Sequence, residues 1–492
     1  MYTFSNKLKT IAFVLMILGF IGIVYGFLSA PKTIEEAEKI IASTHEEHAV
    51  AKSENNAHQV QTIADETKKA DTVVQNASPA LDSLASNTDS TKVEKEIVTT
   101  EKAKAEKEVI SEVDSVKEKK EHAEHVFHQL QNKPWSALYV ACIFFMLISL
   151  GVLTFYAIQQ VAQAGWSPVL FRVMQGITAY LPVGSVIFFI ILVLGGLHQH
   201  HLFTWMAEGV TTKGSANYDE MIAGKSGYLN FPFWISRAAL FLLGWNLYRY
   251  FSRKNCLAQD EASDNSFYKK NFKLSAGFLV FFIVSESIMA WDWLMSFDPH
   301  WFSTLFGWYV FASFFVSGIT TISMVTLYLK SKGYLENVNS SHIHDLSKFM
   351  FGISVFWTYL WFSQFMLIWY ANIPEEITYF KTRIDVYTLP FWGAVVMNFV
   401  FPLLVLINTD FKRIAPIIIG AGVVILCGHY IDFFNMVMPA TVGDQWFVGV
   451  SEISSVLFFL GLFIFVVFSA LSKSPLTPKR NPFIEESEHF HY

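Results

Sequence analysis

The sequence predicts an all-α integral membrane protein with about ten transmembrane helices and one long outer loop. The first reason is composition: of 492 residues, 52% are hydrophobic, 16% aromatic and only 16% charged, which is typical of membrane proteins. The second reason is that apolar residues fall in runs of about 20, enough to cross a hydrocarbon core of ~30 Å. The third is that Lys and Arg concentrate in alternate connecting segments.

Ten apolar runs are long enough to be transmembrane helices. They lie at residues 11–30, 135–159, 173–197, 231–250, 274–294, 304–329, 347–370, 388–407, 414–436 and 452–471. An even number of crossings puts both termini on the same side. The termini and connections on that side carry 17 Lys and Arg, against four in the short connections opposite. The positive-inside rule therefore predicts cytoplasmic termini.

The two ends of the chain lie outside the main group of spans. Residues 1–30 are predicted to be an N-terminal transmembrane anchor. A basic start and small residues at the end are also features of a cleaved signal peptide. The apolar stretch is longer than a typical signal-peptide core, however, and Leu28 is poorly suited to a cleavage site. We therefore expect an uncleaved helix. Residues 476–492 are expected to form a cytoplasmic tail.

Residues 31–134 form a distinct outer segment. They contain 14 Lys and 21 Asp or Glu but a single aromatic residue, Phe127. This composition buries too little apolar surface to offset the entropy of folding, so we predict a largely disordered or extended segment. Its C-terminal part is predicted to be helical, because mostly apolar positions from Val109 to Leu130 alternate at spacings of four and three. We expect this helix to lie on a partner or extend the second span, since so few heptads are marginal as a separate coiled coil.

The sequence offers few ligands for a redox cofactor. Its three cysteines, Cys142, Cys256 and Cys427, lie far apart and form no paired or haem-attachment motif. Electrons handled by this protein would therefore have to be carried by centres on another chain. Outside residues 31–134 the net charge is only +1, which leaves no basic surface for nucleic acid. The expected surroundings are membrane lipid.

Two groups of histidines are candidate metal ligands: His122, His125 and His128 in the outer segment, and His198, His200 and His201 after the third run. The first group shares a helix face, for which a solvated surface is the commoner explanation. The second splays around a helix end, which favours a surface that contacts a partner. Bound haem b would need two deep histidines, and only His429 lies deep in a predicted span. No metal site is predicted.

A few ionisable residues lie deep in predicted spans, where each is costly unless it is paired or functional. Glu286 is expected to pair with Arg237, the only deep cation, either as a structural link or as a proton-accepting carboxylate. Asp292 lies about 240° further around the same helix and is expected at its outer mouth. His429 and Asp432 share a face, which suits proton relay, although a satisfied core histidine is an equal alternative. These five residues are our candidates for a proton path.

The seventh run ends in a cluster of aromatic residues. An aromatic belt at the membrane surface is the default explanation. The alternative is a pocket for a flat apolar ring such as a quinone head. In that case Trp361 and Tyr370 would form walls, and Gln364 or Asn372 would orient a carbonyl group.

Several stretches together resemble the integral membrane subunits of the polysulfide reductase (NrfD-like) family. They are GWSPVLFRVMQGITAYLPVG, GYLNFPFWISR, WDWLMSFDPHWFSTLFGWYVF and HDLSKFMFGISVFWTYLWFSQFMLIWYANIPEE. The resemblance covers residues 135–475, and DPHW and YANIPEE are its most specific parts. The chain is similar in particular to the second NrfD-like membrane subunit of bacterial alternative complex III, a quinol:cytochrome c oxidoreductase.

This resemblance implies two four-helix bundles plus two flanking helices, in the bacterial inner membrane, with residues 31–134 in the periplasm. It implies a respiratory complex that oxidises quinol near the outer surface while partner subunits carry the iron–sulfur clusters and haem c. The expected partners are a paralogous NrfD-like membrane subunit, a periplasmic iron–sulfur and molybdopterin-enzyme-like subunit, multihaem and monohaem cytochromes c, and a terminal oxidase.

No catalytic residue of the family is transferred to this chain. The main quinol site is expected on the paralogous subunit, while this chain supplies an assembly surface and a proton path without a redox cofactor of its own. Asp298, His300 and Glu375 are expected to form the rim that docks the partners. Two other functions are compatible with the sequence: a proton-coupled secondary transporter and a purely structural membrane anchor. Transporters commonly contain inverted repeats, and no clear repeat is visible here.

Overall fold

The computed structural model describes residues 2–40 and 94–491, with the backbone alone for residues 94–122. Every regular element in these residues is a helix. The principal helices are α1 (Asn6–Ser29), α2 (Glu94–Val161), α3 (Pro168–Gly196), α4 (Phe231–Gln259), α5 (Ser266–Trp293), α6 (Phe306–Ser331), α7 (Ser340–Ala371), α8 (Pro374–Asp385), α9 (Thr388–Leu406), α10 (Ala415–Thr441) and α11 (Val450–Leu471).

The chain divides into two compact units. One comprises Met1–Ala30 with Asn132–Tyr492, and the other comprises Pro31–Gln131. In the second unit, Val126 and Leu130 of α2 form a small apolar cluster with Ala37. The side chains at the predicted heptad positions before residue 123, and the side chain of His122, lie outside the described residues, whereas the backbone there is helical.

Nine helices of the described part of the chain are long and apolar enough to cross a membrane: α1, the last part of α2 from Ala123, α3, α5, α6, α7, α9, α10 and α11. The tenth predicted span is also a helix, α4, but it is less apolar because it carries Arg237, Arg249 and Arg253. The prediction of an all-α, multi-pass membrane protein with about ten helices is confirmed.

The two central helices are α2 and α6, whose apolar stretches are almost wholly buried. They cross in direct contact, because a Cβ atom added to Gly151 of α2 would lie 2.6 Å from the carbonyl oxygen of Phe314 in α6. On one side α4 packs against α5 and α3. On the other side α7 and α10 pack against α6, and α9 packs against α10. Helix α5 also packs against α6, which joins the two groups.

The flanking pair consists of α1 and α11, which pack closely along their length. A Cβ atom added to Gly461 would lie 2.7 Å from the carbonyl oxygen of Ala12. A Cβ atom added to Gly19 would likewise lie only 2.4 Å from the backbone nitrogen of Phe458. Small residues let the backbones of membrane helices approach each other, which increases van der Waals contact where lipid offers no hydrophobic advantage. The opposite face of α1 exposes large apolar side chains such as Leu18 and Phe20.

Helix α9 contains a π-helical turn at Val396–Val400. Such turns insert one extra residue into the helix and are frequent at functional sites. Asn398 lies in this turn, fully buried, and neither side-chain polar atom has a partner in the described residues. It faces Gly428 of α10, where an added Cβ atom would collide with the Asn398 amide. The π-helical turn therefore contacts α10 at Gly428, the residue that precedes His429.

Candidate functional site

The predicted pairing of Glu286 with Arg237 is wrong, because Arg237 binds Asp292. Its Nε donates to Asp292 Oδ2 at 2.7 Å and its Nη2 to Oδ1 at 2.8 Å. Arg237 is the seventh residue of α4, and Asp292 is the penultimate residue of α5. The two helices run antiparallel, so these positions lie at the same level. Glu286 lies six residues deeper, about 9 Å along the helix axis.

Asp292 is fully buried rather than at an open mouth, which corrects a second expectation. Its backbone carbonyl accepts hydrogen bonds from Trp234 Nε1 at 2.9 Å and from Ser296 Oγ at 2.6 Å. Arg237 also donates to the carbonyl oxygen of Tyr228 and lies 4.1 Å from the Tyr228 ring centroid. Every charged group in this site therefore has several partners, as expected for a structural ion pair.

Glu286 has almost no partners. It is buried, Ser287 Oγ donates to its Oε2 at 3.2 Å, and its Oε1 has no hydrogen-bond partner in the described residues. No Lys or Arg of the described chain lies within 4 Å of it. An unpaired carboxylate inside a membrane costs several kcal/mol, so we infer that Glu286 carries a proton in the resting protein.

A second buried carboxylate, Asp432 in α10, is surrounded by neutral donors. Tyr309 in α6 donates to Oδ1, Ser313 in α6 donates to Oδ2 at 2.8 Å, and Trp357 Nε1 in α7 donates to Oδ2 at 2.9 Å. Three helices thus converge on one carboxyl group. Among the residues that the structure describes, no Lys or Arg lies within 4 Å of Asp432. Asp292 and Asp432 are therefore both buried, but only Asp292 has an arginine within 4 Å.

His429 completes this site one helical turn before Asp432. Its Nδ1 lies 2.9 Å from Ser313 Oγ and 3.8 Å from Asp432 Oδ2. Its Nε2 is buried and has no hydrogen-bond partner within the described part of the chain. The predicted shared face of His429 and Asp432 is confirmed as geometry. Ser313 bridges the two groups, which gives a short hydrogen-bonded route for a proton.

A cleft opens directly beside Asp432. Its other walls come from Tyr309, Trp361, Gln364, Tyr379, Phe380, Arg383, Phe391, Ala394, Asn435 and Met436. Of the four predicted pocket residues, Trp361 and Gln364 therefore do line a cleft. Tyr370 and Asn372 do not: Tyr370 is 84% exposed, and Asn372 ends α7 in a left-handed conformation. Tyr370 lies nine residues after Trp361, half a turn around the helix.

Arg383 in α8 was not predicted and is the main addition to the site. It is 5% exposed, and its Nε and Nη1 donate only to the backbone carbonyls of Asn435 and Tyr379. Nη2 makes no hydrogen bond to the described residues, and no carboxylate of these residues lies within 4 Å. Arg383 also lies 3.3 Å from the Tyr379 ring centroid. Burial raises the pKa of Tyr379, and the nearby Arg383 charge opposes that rise.

Three clefts with shared wall residues form an interrupted route from Asp432 toward the surface. The first and second share Tyr379, Arg383 and Met436. The second and third share Phe297, Asp298 and Ala440. The third is open, and its rim includes His300. The route therefore ends on the side of the protein where α5 ends and α6 begins.

The predicted docking rim is divided: Asp298 and His300 both line the third cleft, and Glu375 does not. Asp298 lines the second and third clefts. His300 Nε2 lies 2.6 Å from Asp219 Oδ2, and Glu375 is exposed in the first turn of α8. The backbone amide of Ile222 and the His300 side chain hold the pKa of Asp219 below its ordinary value.

The predicted histidine surface after the third run is wrong in part. His200 is buried, and its Nε2 lies 3.0 Å from the carbonyl oxygen of Ile191. Burial lowers the pKa of His200. His198, which follows the end of α3, and His201 are exposed. Among the described residues, no three His, Cys, Asp or Glu side chains are arranged to hold a metal ion.

Some missed residues had a usable signal in the sequence. Tyr309 and Ser313 are four residues apart, and so are Trp357 and Trp361, so each pair shares a helix face. The polar side chains of α10 recur at spacings of three, ending at Asn435. Arg383 had no such signal, because its segment was assigned to a loop. Comparison of the sequence with known family models and with curated proteins finds no match.

Proposed function

We propose that this chain is a membrane subunit of a respiratory quinol-oxidising complex of the alternative complex III type, with Asp432 as its proton acceptor. One observation carries the proposal: a buried carboxylate with three neutral donors and a neighbouring histidine lies beside a cleft, and no Lys or Arg of the described residues lies within 4 Å of it. A carboxylate in such surroundings can gain a proton without leaving a buried cation unpaired, which suits proton transfer. The family resemblance supplies the expected substrate class.

The chemistry assigned to this chain concerns protons only. Oxidation of one quinol to quinone releases two protons and two electrons. The electrons would be taken up by partner subunits, which in this proposal would hold the iron–sulfur clusters and haem c groups, and the residues of this chain would handle protons alone. Tyr309 lines the cleft and donates to Asp432, so its hydroxyl can pass a proton from the cleft to the carboxylate. Because the one hydroxyl proton of Ser313 goes to Asp432, His429 Nδ1 donates to Ser313 Oγ, and the serine links the histidine to the carboxylate.

The series of clefts supports release of these protons on the side opposite the basic connections. The positive-inside rule assigns that side to the periplasm of a bacterial inner membrane. The proposed partners are the paralogous membrane subunit, a periplasmic iron–sulfur and molybdopterin-enzyme-like subunit, multihaem and monohaem cytochromes c, and a terminal oxidase. Asp298, His300 and Glu375 are the proposed docking rim.

The decisive experiment is Asp432→Asn in the whole assembly, purified in mild detergent. Asn keeps the shape and still accepts hydrogen bonds but does not take up a proton. We expect iron and c-type haem to co-purify at the normal ratio while quinol oxidation falls about a hundredfold, the lower range for loss of a general base. Asp444→Asn is the control, because Asp444 is exposed and should leave turnover unchanged. Normal turnover of Asp432→Asn would exclude the proposed role.

A proton-coupled transporter is the second candidate, favoured by the π-helical turn of α9 packed against α10 just before His429. Transporter sites commonly use interrupted helices. A colourless protein that purifies alone and carries a solute into vesicles in response to a pH gradient would favour the transporter. Co-purification of haem c and iron would favour the respiratory complex. A chain that purifies with partners but tolerates Asp432→Asn would be a structural anchor.

A further inference from the structure

We propose that Lys348, Lys412 and Arg413 form a binding site for the phosphate group of an anionic phospholipid, between the first turns of α7 and the connection from α9 to α10. These three cations are called the basic cluster below. The inference goes beyond the proposed function and does not depend on it, because the basic cluster lies at the opposite end of the spans from Asp298 and the route to Asp432.

The basic cluster is assembled from two segments that are distant in sequence. The helical turn Phe411–Arg413, which lies between α9 and α10, packs against α7. Lys412 Nζ lies 5.0 Å from the ring centroid of Phe351 in α7. All three cations are close enough to act electrostatically on His344, which lies one helical turn before Lys348. Positive charge is therefore concentrated at one point of the protein.

The first argument is that Lys412 is buried without a counter-ion. It is 8% exposed, its ammonium group makes no hydrogen bond to the described residues, and no carboxylate of these residues lies within 4 Å of it. Burial and the neighbouring charge of Lys348 lower the pKa of Lys412. The Phe351 ring offsets part of the cost of burying this charge. An anion beside the ammonium would offset the rest.

The second argument is the charge balance of the basic cluster. Lys348 pairs with Asp345, whose carboxylate lies 3.1 Å from its ammonium. Asp410 is exposed and makes no ion pair with a described residue, and the same is true of Arg413. Three cations and two carboxylates leave one positive charge, which a single phosphodiester group would balance. A zwitterionic headgroup brings a cation of its own and therefore fits less well.

The third argument is the apolar surface beside the basic cluster. Val355 and Phe362 follow Lys348 at intervals of seven residues, so the three side chains lie on nearly the same face of α7. Both apolar side chains are exposed. Leu404 and Ile407 also expose large apolar side chains at the end of α9, which packs against α7. A phospholipid held by its phosphate would place its acyl chains along these two faces, whereas free phosphate would leave them unused.

The expected side of the membrane agrees with this ligand. The basic cluster lies on the side that the positive-inside rule assigns to the cytoplasm. Basic pockets between transmembrane helices on that side are suited to anionic headgroups. A lipid bound here would connect the turn before α10 to α7, and thus stabilise the contact between two helices that carry Asp432 and Trp357.

A photoreactive phospholipid tests the site without using turnover. The probe is phosphatidylglycerol with a diazirine in one acyl chain, added to the protein purified in mild detergent with its accompanying subunits. We expect labelled peptides from residues 352–362 and 400–411, competed by unlabelled phosphatidylglycerol but not by phosphatidylcholine, inorganic phosphate or glycerol 3-phosphate. Lys412→Met should weaken labelling about fivefold, which is the expected contribution of one basic side chain to the attraction of anionic lipid.

Two further variants separate a binding defect from a folding defect. Lys254→Met removes an exposed lysine on the same side of the protein and should change nothing. Arg413→Gln alters only an exposed side chain, so the protein should fold normally while labelling falls severalfold. This variant decides the test if Lys412→Met does not assemble. Labelling of the exposed face of α1 provides the reference for ordinary surrounding lipid.

Four results would overturn the lipid site. The first is equal competition by phosphatidylcholine, which would show ordinary surrounding lipid. The second is competition by inorganic phosphate or glycerol 3-phosphate, which would show a site for a soluble phosphate. The third is absence of labelling in the two peptides, as when a partner subunit covers this surface. The fourth is labelling that neither Lys412→Met nor Arg413→Gln reduces.

Discussion

Asp292 and Asp432 are both buried aspartates near the same side of the protein, yet their surroundings differ in one decisive respect. Asp292 receives two hydrogen bonds from the Arg237 guanidinium. Asp432 receives three from uncharged hydroxyl and indole groups. Protonating Asp292 would break the ion pair of the buried Arg237. Protonating Asp432 breaks no ion pair with a Lys or Arg of the described residues, because Arg383, which lines the same cleft, has no carboxylate within 4 Å. Asp292 is therefore suited to stay charged, whereas Asp432 is suited to gain and lose a proton.

The comparison also shows why depth alone is a poor guide to function. A deep ionisable residue is a good functional candidate in a membrane protein, and Arg237 met that criterion on sequence. In the structure, however, the Arg237 guanidinium is paired with Asp292 and the Tyr228 carbonyl, so it stabilises the contact between α4 and α5. Glu286 is intermediate, since it has neither a cation nor a cleft. The variants below test these distinctions in order of expected effect.

Asp292→Asn should have the largest effect. It leaves Arg237 as an uncompensated buried charge, which typically costs about 3–5 kcal/mol. We expect a marked loss of folded protein in the membrane and a lower thermal unfolding temperature in detergent. The double variant Arg237→Leu with Asp292→Leu should recover much of the loss, because apolar replacement of a buried pair is often close to neutral. A fully stable Asp292→Asn protein would contradict the assignment of this pair as structural.

Tyr309→Phe should reduce turnover rather than stability. The variant keeps the ring but removes the hydroxyl that connects the cleft to Asp432. We expect turnover to fall about tenfold, which is less than the full effect of losing a general base. The free energy of unfolding should change by about 1 kcal/mol. Tyr430→Phe is a matched control, since the Tyr430 hydroxyl is buried and has no partner in the described residues. Equal behaviour of the two variants would remove Tyr309 from the proton route.

Glu286→Gln should leave folding unchanged, because no ion pair is lost. The unfolding free energy is expected to stay within about 0.5 kcal/mol of the original. If Glu286 belongs to the proton path, turnover falls severalfold while the subunits still assemble. Infrared spectroscopy checks its state directly: the variant should lose the band of one protonated carboxyl group. A protein that fails to assemble would show that Glu286 has a structural partner after all.

Asp219→Asn should have the smallest effect, limited to acidic pH. The Ile222 amide and His300 hold the pKa of Asp219 below its ordinary value of 3.8. A carboxylate with a lowered pKa stabilises the folded protein above that ordinary value, and the contribution is lost as the pH falls through the folded value. The original protein should therefore lose slightly more thermal stability than Asp219→Asn on acidification. Parallel melting curves at all pH values would count against this contact.

Sequence reasoning located the helices well because apolar length is a property of each segment alone. It also placed His429 and Asp432 together, since both lie on one helix and their relative angle is fixed. It failed for Glu286 and Arg237, because the partner of a residue depends on the levels at which two helices meet. A run of apolar residues locates a helix along the membrane normal only to within about one helical turn.

The candidate cleft shows the same limit. Trp361 and Gln364 are three residues apart and do share a wall, but Tyr370 lies on the far side of the same helix. Arg383 was missed because a short amphipathic helix between two spans has the composition of a loop. Its burial follows from contacts with α10, which no local pattern in residues 374–385 reveals.

The close packing of α1 against α11 has a consequence for biosynthesis. The glycines of α1 fit a helix that lies more than 400 residues later in the chain, so α1 finds this partner only after α11 has been made. Until then α1 must remain in the bilayer by its own apolar length. Translation that stops before residue 450 would leave the glycine face of α1 uncovered, open to any other helix nearby.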